Sequence, residues 1–260
     1  IHSHILPNVD DGAKDIDESI EMAKQYIDNG INKVIATPHY IEGAENSTKD
    51  LNLKVLESLK EALYQKGLDL DVYLGNEIYV TMDINKYLDE NKISSLNNSR
   101  YILIELPMFD IPLYMANLIY EILLKGYVPI IAHPERNARI IENPNLLYGF
   151  IMKGALTQLN LPSLEGRYGD KIKTTSELLL KHNMIHFVGT DAHSNNKRSP
   201  NVKNSLNLLK KLIDKETYRR VTYLNGLDLL NNRKINVESP IEYKEQKSLF
   251  YFLKTNINIF

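Results

Sequence analysis

The chain has 260 residues, of which 43% are hydrophobic, so one domain of this length can bury a complete core. Its formal net charge of −2 gives no electrostatic case for binding nucleic acid. Cysteine is absent, which excludes disulfides, thiolate metal sites and every mechanism with a cysteine nucleophile.

The chain shows no signature of secretion or of a membrane span. No basic-then-apolar signal segment precedes His2, and the most apolar stretch, 113–124, is interrupted by Asn117 and Glu121. We therefore expect a cytoplasmic protein that is not embedded in a membrane.

Strand-like and helix-like segments alternate along the chain. Asp15 followed by Glu18 resembles a capping box, which predicts that the first helix begins there. The predicted elements, in chain order, are a helix at 16–28, a strand at 33–36, a helix at 48–65, strands at 71–74 and 101–104, a helix between Pro112 and Gly126, a strand at 128–132, two short helices separated by Asn143-Pro144, a strand at 155–159, a helix at 173–182, a strand at 185–188, and helices at 201–213 and 215–223.

These segments form about seven strand–helix units. Such a pattern predicts a single-domain α/β fold, a parallel barrel with its site at the carboxyl ends of the strands. From Glu238 onward the chain loses clear periodicity, so we expect a barrel over 1–237 and a tail of unknown role over 238–260. The apolar cluster at 250–253 is expected to dock on the body or on a partner.

Five of the seven histidines lie in short polar motifs that follow apolar, strand-like runs. These motifs are His2-x-His4, Thr37-Pro38-His39, Ala132-His133-Pro134 and Asp191-Ala192-His193. Because the ends of parallel strands converge, imidazoles at these positions predict a metal cluster. The other two, His182 and His186, match no motif, and we expect them to be ordinary structural or surface residues.

Four acidic residues could complete such a cluster. Asp10-Asp11-Gly12 is typical of a turn, but Asp11 lies close enough to His4 to serve as a ligand, with Asp10 as a turn or supporting residue. Glu77 and Glu105 each end an apolar strand, where an ionised carboxylate needs a metal or a salt bridge. The sequence leaves both options open for the two glutamates.

Two arginines follow the histidine motifs. Arg136 lies three residues after His133, and Arg198 lies five after His193. Guanidinium groups bind phosphate oxygens well, so their placement favours a phosphate site over simple solvation. Arg139 is a weaker third candidate. Without soft ligands, the set of imidazoles and carboxylates suits manganese, iron, zinc or magnesium.

The order of these motifs resembles the PHP (polymerase and histidinol phosphatase) superfamily. Within it, Ile5-Leu6-Pro7 before the Asp-Asp-Gly motif, together with His133-Pro134-Glu135-Arg136, is similar to bacterial manganese-dependent tyrosine-protein phosphatases of the CpsB/CapC type. These proteins accompany capsule and exopolysaccharide operons. The resemblance covers roughly residues 1 to 235.

The resemblance implies a distorted parallel (β/α)7 barrel of the PHP type that holds three metal ions, most often Mn²⁺, with iron, zinc or magnesium as alternatives. The implied ligand sets are His2, His4, Glu77 and Asp191 for the first metal; Glu77, Glu105 and His133 for the second; and Asp11, His39 and His193 for the third. Arg136 and Arg198 match the phosphate-binding arginines of the family.

The implied activity is hydrolysis of phosphotyrosine by a hydroxide that bridges two metals. Tyr40 and Tyr79 follow ligand motifs, so they are candidates either to stack on the substrate ring or simply to pack. The implied substrate is the tyrosine-rich tail of a bacterial tyrosine kinase. The alternatives are another PHP phosphoesterase, such as a histidinol-phosphate phosphatase, and a non-catalytic PHP binding module. Metal-dependent amide hydrolysis is a poorer option, because the arginines fit phosphate better.

Overall fold

A computed structural model describes residues 1–44 and 47–244 of the protein. Its strands are all parallel to their neighbours and form a two-stranded sheet in the order β1-β3 and a six-stranded sheet in the order β2-β4-β5-β6-β7-β8. The strands are β1 (Lys33–Ala36), β2 (His39–Tyr40), β3 (Asp71–Leu74), β4 (Glu77–Tyr79), β5 (Tyr101–Glu105), β6 (Val128–Ala132), β7 (Leu156–Asn160) and β8 (Phe187–Gly189).

Helices follow the strands and cover the sheet. They are α1 (Ile16–Asp28), α2 (Lys49–Gln65), α3 (Ile84–Asp89), α4 (Met115–Leu124), α5 (Ala138–Glu142), α6 (Asn145–Met152), α7 (Asp170–Lys181), α8 (Lys203–Leu212), α9 (Lys215–Arg219) and α10 (Asn225–Leu230). The predicted single-domain α/β fold with parallel strands is confirmed, and most predicted elements agree within a few residues. The helices α3 and α10 were not predicted, since six residues are too few to show a helical period.

The start of α1 shows how the predicted cap connects two distant parts of the chain. The Asp15 carboxylate accepts a hydrogen bond from the Glu18 backbone N–H at 2.8 Å, as a capping box requires. The Glu18 carboxylate accepts from the backbone N–H groups of Lys14 at 3.1 Å and Asn195 at 3.3 Å. The cap of the first helix therefore also holds the segment that follows the last strand.

Alternation along β5 separates two regions of the core. Ile102 and Ile104 pack in the cluster that contains α4, whereas Tyr101 and Leu103 pack in a cluster with residues of β6, β7 and β8. Since side chains alternate across a strand, Glu105 lies on the same face as Tyr101 and Leu103. This inner face therefore ends in a carboxylate at the carboxyl edge of the sheet.

The N-terminal segment, residues 2–4, lies between the ends of the last and the first strands. Ser3 forms a parallel bridge with Ala192, and the backbone N–H of His4 donates to the Ala192 carbonyl at 2.8 Å. On the other side, the backbone N–H of Thr37 donates to the Ser3 carbonyl at 2.8 Å. These bonds place the His-x-His motif beside the end of β8 and the end of β1.

The beginning of the predicted tail packs against the body of the protein. The backbone N–H of Ile241 donates to the His182 carbonyl at 2.8 Å, and that of Tyr243 donates to the Asn145 side chain at 2.8 Å. The apolar cluster at 250–253 lies outside the described residues. Among the helices that the structure describes, none combines the length and apolarity needed to cross a bilayer.

His186 is a buried structural histidine, as predicted, on the approach to β8. It is 4% exposed, and its Nδ1 accepts a hydrogen bond from the Thr157 backbone N–H at 3.1 Å. The ring is therefore neutral, with its proton on Nε2, an atom without a hydrogen-bond partner among the described residues. Burial lowers the pKa of His186 to about 4.

This burial predicts a specific loss of stability in mild acid. The folded-state pKa of His186 lies below the value of 6.5 for an exposed histidine, so its contribution is complete above that pH and is lost as pH falls towards about 4. At pH 5 the loss is about 2 kcal/mol. Urea unfolding at pH 7 and pH 5 should show that the wild type loses about this much more free energy of unfolding than His186→Asn. His182→Asn, at the half-buried end of α7, controls for removal of a histidine. Equal losses in the wild type and His186→Asn would contradict the prediction.

Candidate metal centre

The carboxyl edge of the sheet gathers the imidazole and carboxylate side chains that the sequence singled out. All of them lie in one cluster: His2, His4, Asp11, His39, Glu77, Glu105, His133, Asp191 and His193. They come from the N-terminal segment, from the turn after His4, from the first residues of β2 and β4, from the last residue of β5, and from the segments after β6 and β8. Residues separated by up to 191 positions therefore meet at one point.

Glu77 lies at the centre of the cluster and is fully buried. Its Oε2 is 3.0 Å from His2 Nε2, 3.1 Å from His4 Nε2 and 3.2 Å from His39 Nδ1. Its other oxygen, Oε1, accepts a hydrogen bond from His133 Nε2 at 2.8 Å. One carboxylate thus contacts four imidazoles from three parts of the chain.

The donor atoms form three overlapping groups, in each of which they lie within 4.8 Å of one another. The groups are His2, His4, Glu77 and Asp191; His4, Asp11, His39 and His193; and His39, Glu77 and Glu105. Three residues, His4, His39 and Glu77, each belong to two groups. The geometry therefore provides three adjacent cation positions that share ligands.

The first group contains the same residues as the first predicted ligand set, whereas the other two differ in one residue each. His4 joins the predicted set of Asp11, His39 and His193. His39 groups with Glu77 and Glu105, and His133 Nε2 also lies 2.8 Å from Glu77 Oε1 and 3.8 Å from Glu105 Oε1, so the predicted set that contains His133 stays a prediction.

Hydrogen bonds on the far side of the rings fix how His2 and His4 face the cluster. His2 Nδ1 donates to Gln158 Oε1, and His4 Nδ1 donates to Asp10 Oδ2, both at 2.6 Å. The Nε2 atoms are thereby directed to the centre, where they lie 3.3 Å apart. Asp10 also accepts from the Gly12 backbone N–H at 2.9 Å, so it has both of its predicted roles, in the turn and in support of a histidine.

Two amides on β7 extend this support to Asp191, and neither was predicted. Gln158 Nε2 donates to Asn160 Oδ1 at 3.0 Å, and Asn160 Nδ2 donates to Asp191 Oδ2 at 2.7 Å. Because the ionised Asp191 carboxylate can only accept, Asn160 must donate to it, Gln158 must donate to Asn160, and His2 must donate to Gln158. Polar residues in alternation on an otherwise apolar strand were the sequence signal that could have identified them.

Burial and neighbouring charges shift the pKa values of this cluster in opposite directions. Burial alone would lower the pKa of His4, but Asp10 and Glu77 raise it to about 10. Burial and the nearby Glu77 raise the pKa of Glu105 to about 7. His4 and Glu105 therefore hold protons in the protein alone. A cation bound to these residues would displace the protons, so cation binding should strengthen as pH rises.

The backbone is strained at two of the clustered residues. His133 has a φ of 29° and Asp191 a φ of 48°, both in the left-handed region that favours glycine. Such conformations cost about 1–3 kcal/mol each and persist only where the surrounding structure enforces them. Here the Asp191 backbone N–H donates to the His2 carbonyl at 3.0 Å. Strain is thus concentrated at the edge that carries the cluster.

Asp191 connects the histidines to two arginines. Its Oδ2 accepts from Arg198 Nη2 at 2.8 Å and from Arg136 Nη1 at 3.2 Å, while Oδ1 lies 3.4 Å from His2 Nε2. The Arg136 guanidinium lies 4.8 Å from the centre of the Tyr168 ring. Both predicted phosphate-binding arginines therefore border the cluster at Asp191.

Two other predicted substrate contacts lie elsewhere. Arg139 forms an exposed ion pair with Glu142 at 3.0 Å. Tyr40 is buried and its ring packs against Tyr87 at 5.5 Å between centres, in agreement with the alternative that it simply packs. Tyr79 remains partly exposed.

Unpaired buried atoms test whether these residues suit metal ions. Glu77 Oε2, Asp191 Oδ1, His39 Nδ1 and His193 Nε2 are buried, and none has a hydrogen-bond partner among the described residues. Leaving such atoms unpaired costs about 1–3 kcal/mol each. All four face the cluster, where a divalent cation would satisfy them. The residues therefore fit the coordination chemistry of manganese, iron, zinc or magnesium.

Comparison with known proteins places the chain in a family. The family model described as "Capsular polysaccharide synthesis, CpsB/CapC" matches residues 1–231. The chain belongs to this family.

Its relatives resemble it over nearly their whole length. It is 39% identical to "Tyrosine-protein phosphatase YwqE" of Bacillus subtilis over 252 residues, which cover 97% of this chain and 99% of that protein. It is also 39% identical to "Putative tyrosine-protein phosphatase CapC" of Staphylococcus aureus, with the same coverage. A solved structure from work on YwqE and on CpsB of Streptococcus pneumoniae, described as "unique metal-dependent tyrosine phosphatases", superposes with a TM-score of 0.91 and covers 94% of this chain and 99% of its own.

The support that Gln158 gives to His2 predicts a loss of metal affinity when its amide is removed. Gln158→Leu keeps the size of the side chain but leaves His2 Nδ1–H without its acceptor, so the ring is no longer held with Nε2 towards the centre. We expect Mn²⁺ affinity to fall about 10- to 100-fold in calorimetric titration of the metal-free protein.

Gln65→Leu, at the exposed end of α2, is the matched control and should bind Mn²⁺ like the wild type. Unchanged affinity in Gln158→Leu would show that His2 needs no such support.

Proposed function

We propose that this protein is a metal-dependent phosphatase that hydrolyses phosphotyrosine in proteins. The observation that carries the proposal is the placement of two guanidinium groups on Asp191, whose other oxygen faces the candidate cation positions. A phosphate bound there contacts arginines and cations together. The names of the relatives, which are tyrosine-protein phosphatases, support phosphotyrosine as the substrate.

The proposed ligands are the nine clustered residues, and Mn²⁺ is the proposed metal. His2, His4, Glu77 and Asp191 would hold one cation; His39, Glu77 and Glu105, with His133 alongside, a second; and His4, Asp11, His39 and His193 a third. When bound, the cations would lower the pKa of water and neutralise charge on the phosphoryl oxygens.

The chain's own residues bind and orient the phosphoryl group. Arg198 Nε is buried and has no hydrogen-bond partner among the described residues, so this donor is available to an anionic oxygen. Arg136 is held by Asp191 and by the face of Tyr168, which directs its planar guanidinium. The leaving tyrosinate has a conjugate acid with a pKa of about 10, so a strong general acid is less necessary.

We also propose that the sheet closes into a distorted seven-stranded parallel barrel over residues 1–237. Segment 2–4 bonds to the ends of both β8 and β1, and β1 with β2, and β3 with β4, each follow one strand path broken by two residues. Within the described residues, segment 2–4, the joined pairs β1/β2 and β3/β4, and the strands β5, β6, β7 and β8 make seven strand paths. Residues 238–260 would then be a tail on this body.

The proposed physiological substrate is the tail of a bacterial tyrosine kinase that acts in capsule or exopolysaccharide synthesis, in keeping with the description of the family. A cytoplasmic location follows from such a substrate and is part of the proposal. The alternatives are another PHP phosphoesterase, such as a histidinol-phosphate phosphatase, and a binding module without catalysis.

A substrate panel with metal removal tests the proposal. We expect the purified protein to hydrolyse a phosphotyrosine peptide in preference to histidinol phosphate and a phosphoserine peptide. A chelator should abolish turnover and Mn²⁺ should restore it, since water and phosphate are activated only when cations are bound. Elemental analysis of the untreated protein identifies the resident metal.

Strong turnover of histidinol phosphate without turnover of phosphotyrosine would favour the other phosphoesterase. A metal-loaded protein that turns over none of the three would favour the binding module.

The bidentate geometry of guanidinium predicts a large effect of a conservative change at Arg198. Arg198→Lys keeps the charge but loses the planar donors, so kcat/KM for the phosphotyrosine peptide should fall about 100-fold or more in steady-state kinetics. Arg139→Lys, in its exposed pair with Glu142, is the matched control and should leave kcat/KM unchanged. A comparable loss in both variants would argue against a role of Arg198 at the phosphate.

A further inference from the structure

Large apolar side chains are exposed along one half of the mouth of the site. This apolar rim consists of Ile41, Tyr79, Met82, Met108, Phe109 and Leu113. Phe109 is 81% exposed, Met82 is 67% exposed, and Leu113 is fully exposed. Exposed apolar groups clustered beside a site are typical of binding surfaces rather than of ordinary protein surface.

The rim follows three neighbouring strands. Its residues come from the segments after β2, β4 and β5, which are adjacent and parallel in the sheet, so the segments leave the sheet at the same edge. The register places His39 opposite Glu77, and Tyr79 opposite Glu105. The rim therefore begins directly beside three of the candidate metal ligands.

Hydrogen bonds hold these segments in place. The Glu42 carboxylate accepts from the Thr81 and Tyr87 hydroxyls, which joins the segments after β2 and β4. Asn137 Nδ2 donates to the carbonyls of Pro107 at 2.7 Å and Asp110 at 2.9 Å. The apolar side chains are thus presented from anchored loops.

The segments after β6, β7 and β8 are basic. Arg136 and Arg198 contact Asp191, and Arg167 donates to the Lys197 carbonyl at 2.9 Å. The apolar and basic segments meet after β5, where the Ala138 backbone N–H, just beyond the turn that carries Arg136, donates to the Met108 carbonyl at 2.9 Å.

We propose that the apolar rim binds large apolar side chains close to the phosphotyrosine in the protein substrate. The proposal rests on the proposed function, which places the phosphate at the arginines. When the phosphate of a protein substrate binds at the arginines, the substrate residues on one side of the tyrosine would contact the loops after β2, β4 and β5. Apolar neighbours would bury the rim, whereas polar ones would leave it exposed, so the rim selects the sequence around the tyrosine.

The test compares two phosphotyrosine peptides with p-nitrophenyl phosphate, which has no residues beside its phosphorylated ring. One peptide carries Leu and Phe beside the phosphotyrosine and the other carries Ser and Gly. We expect the wild type to show a KM at least about fivefold lower for the apolar peptide. In the triple variant Met82→Ser/Phe109→Ser/Leu113→Ser this preference should disappear, while kcat/KM for p-nitrophenyl phosphate stays unchanged.

The matched control replaces three equally exposed side chains on the helices, Tyr64→Ser/Tyr120→Ser/Leu124→Ser, and should keep the preference. Equal KM values for the two peptides in the wild type would overturn the proposal. So would an equal loss of p-nitrophenyl phosphate turnover in the rim variant, or a change in its sedimentation, which would make the rim a contact between copies of the chain.

Failure of the proposed function would be recognised separately, as absence of turnover for every substrate. In that case, the affinities of the two labelled peptides for the protein, measured by fluorescence anisotropy, still test whether the rim binds apolar side chains. Tighter binding of the apolar peptide that is lost in the rim variant would support it, and equal binding of both peptides would overturn it.

Discussion

The structure depends on the electrostatic requirement of one buried carboxylate. Glu77 is surrounded by imidazole nitrogens and is removed from water, where a lone negative charge would be strongly unfavourable. The protein alone meets this requirement in part at His4, whose pKa is raised by Asp10 and by Glu77. The same arrangement of charge suits divalent cations, so one set of contacts accounts for both the fold at this edge and its chemistry.

The orientation of the ligands is determined by residues that bind no metal themselves. His2 is oriented by a neutral amide, Gln158, and His4 by a carboxylate, Asp10. The anionic partner makes the second ring more basic, so two histidines of one motif differ in electronic character. Through Asn160, the amide chain also reaches Asp191, which joins the candidate cation positions to Arg136 and Arg198. A change on β7 would therefore affect both halves of the site.

Much of the site could be predicted from the sequence because its residue types are rare and stand at strand ends. Histidines and acids after apolar runs predicted the cluster, and the family resemblance supplied their grouping. Gln158 and Asn160 were missed because their alternation on β7 does not show which residues they contact, and their role arises only from tertiary contacts. His39 Nδ1 lies 3.6 Å and His133 Nε2 lies 3.8 Å from a Glu105 oxygen, and no pattern of residues records which of the two rings is nearer.

The pairing of segment 2–4 with Ala192 has a consequence for folding during synthesis on the ribosome. His2 and His4 leave the ribosome well before their hydrogen-bond partners, because Ala192 lies 188 residues after His4 in the sequence. Contacts so distant in sequence form late and slowly. The nascent chain therefore cannot assemble the complete candidate cation site until Asp191 and His193 have been synthesised.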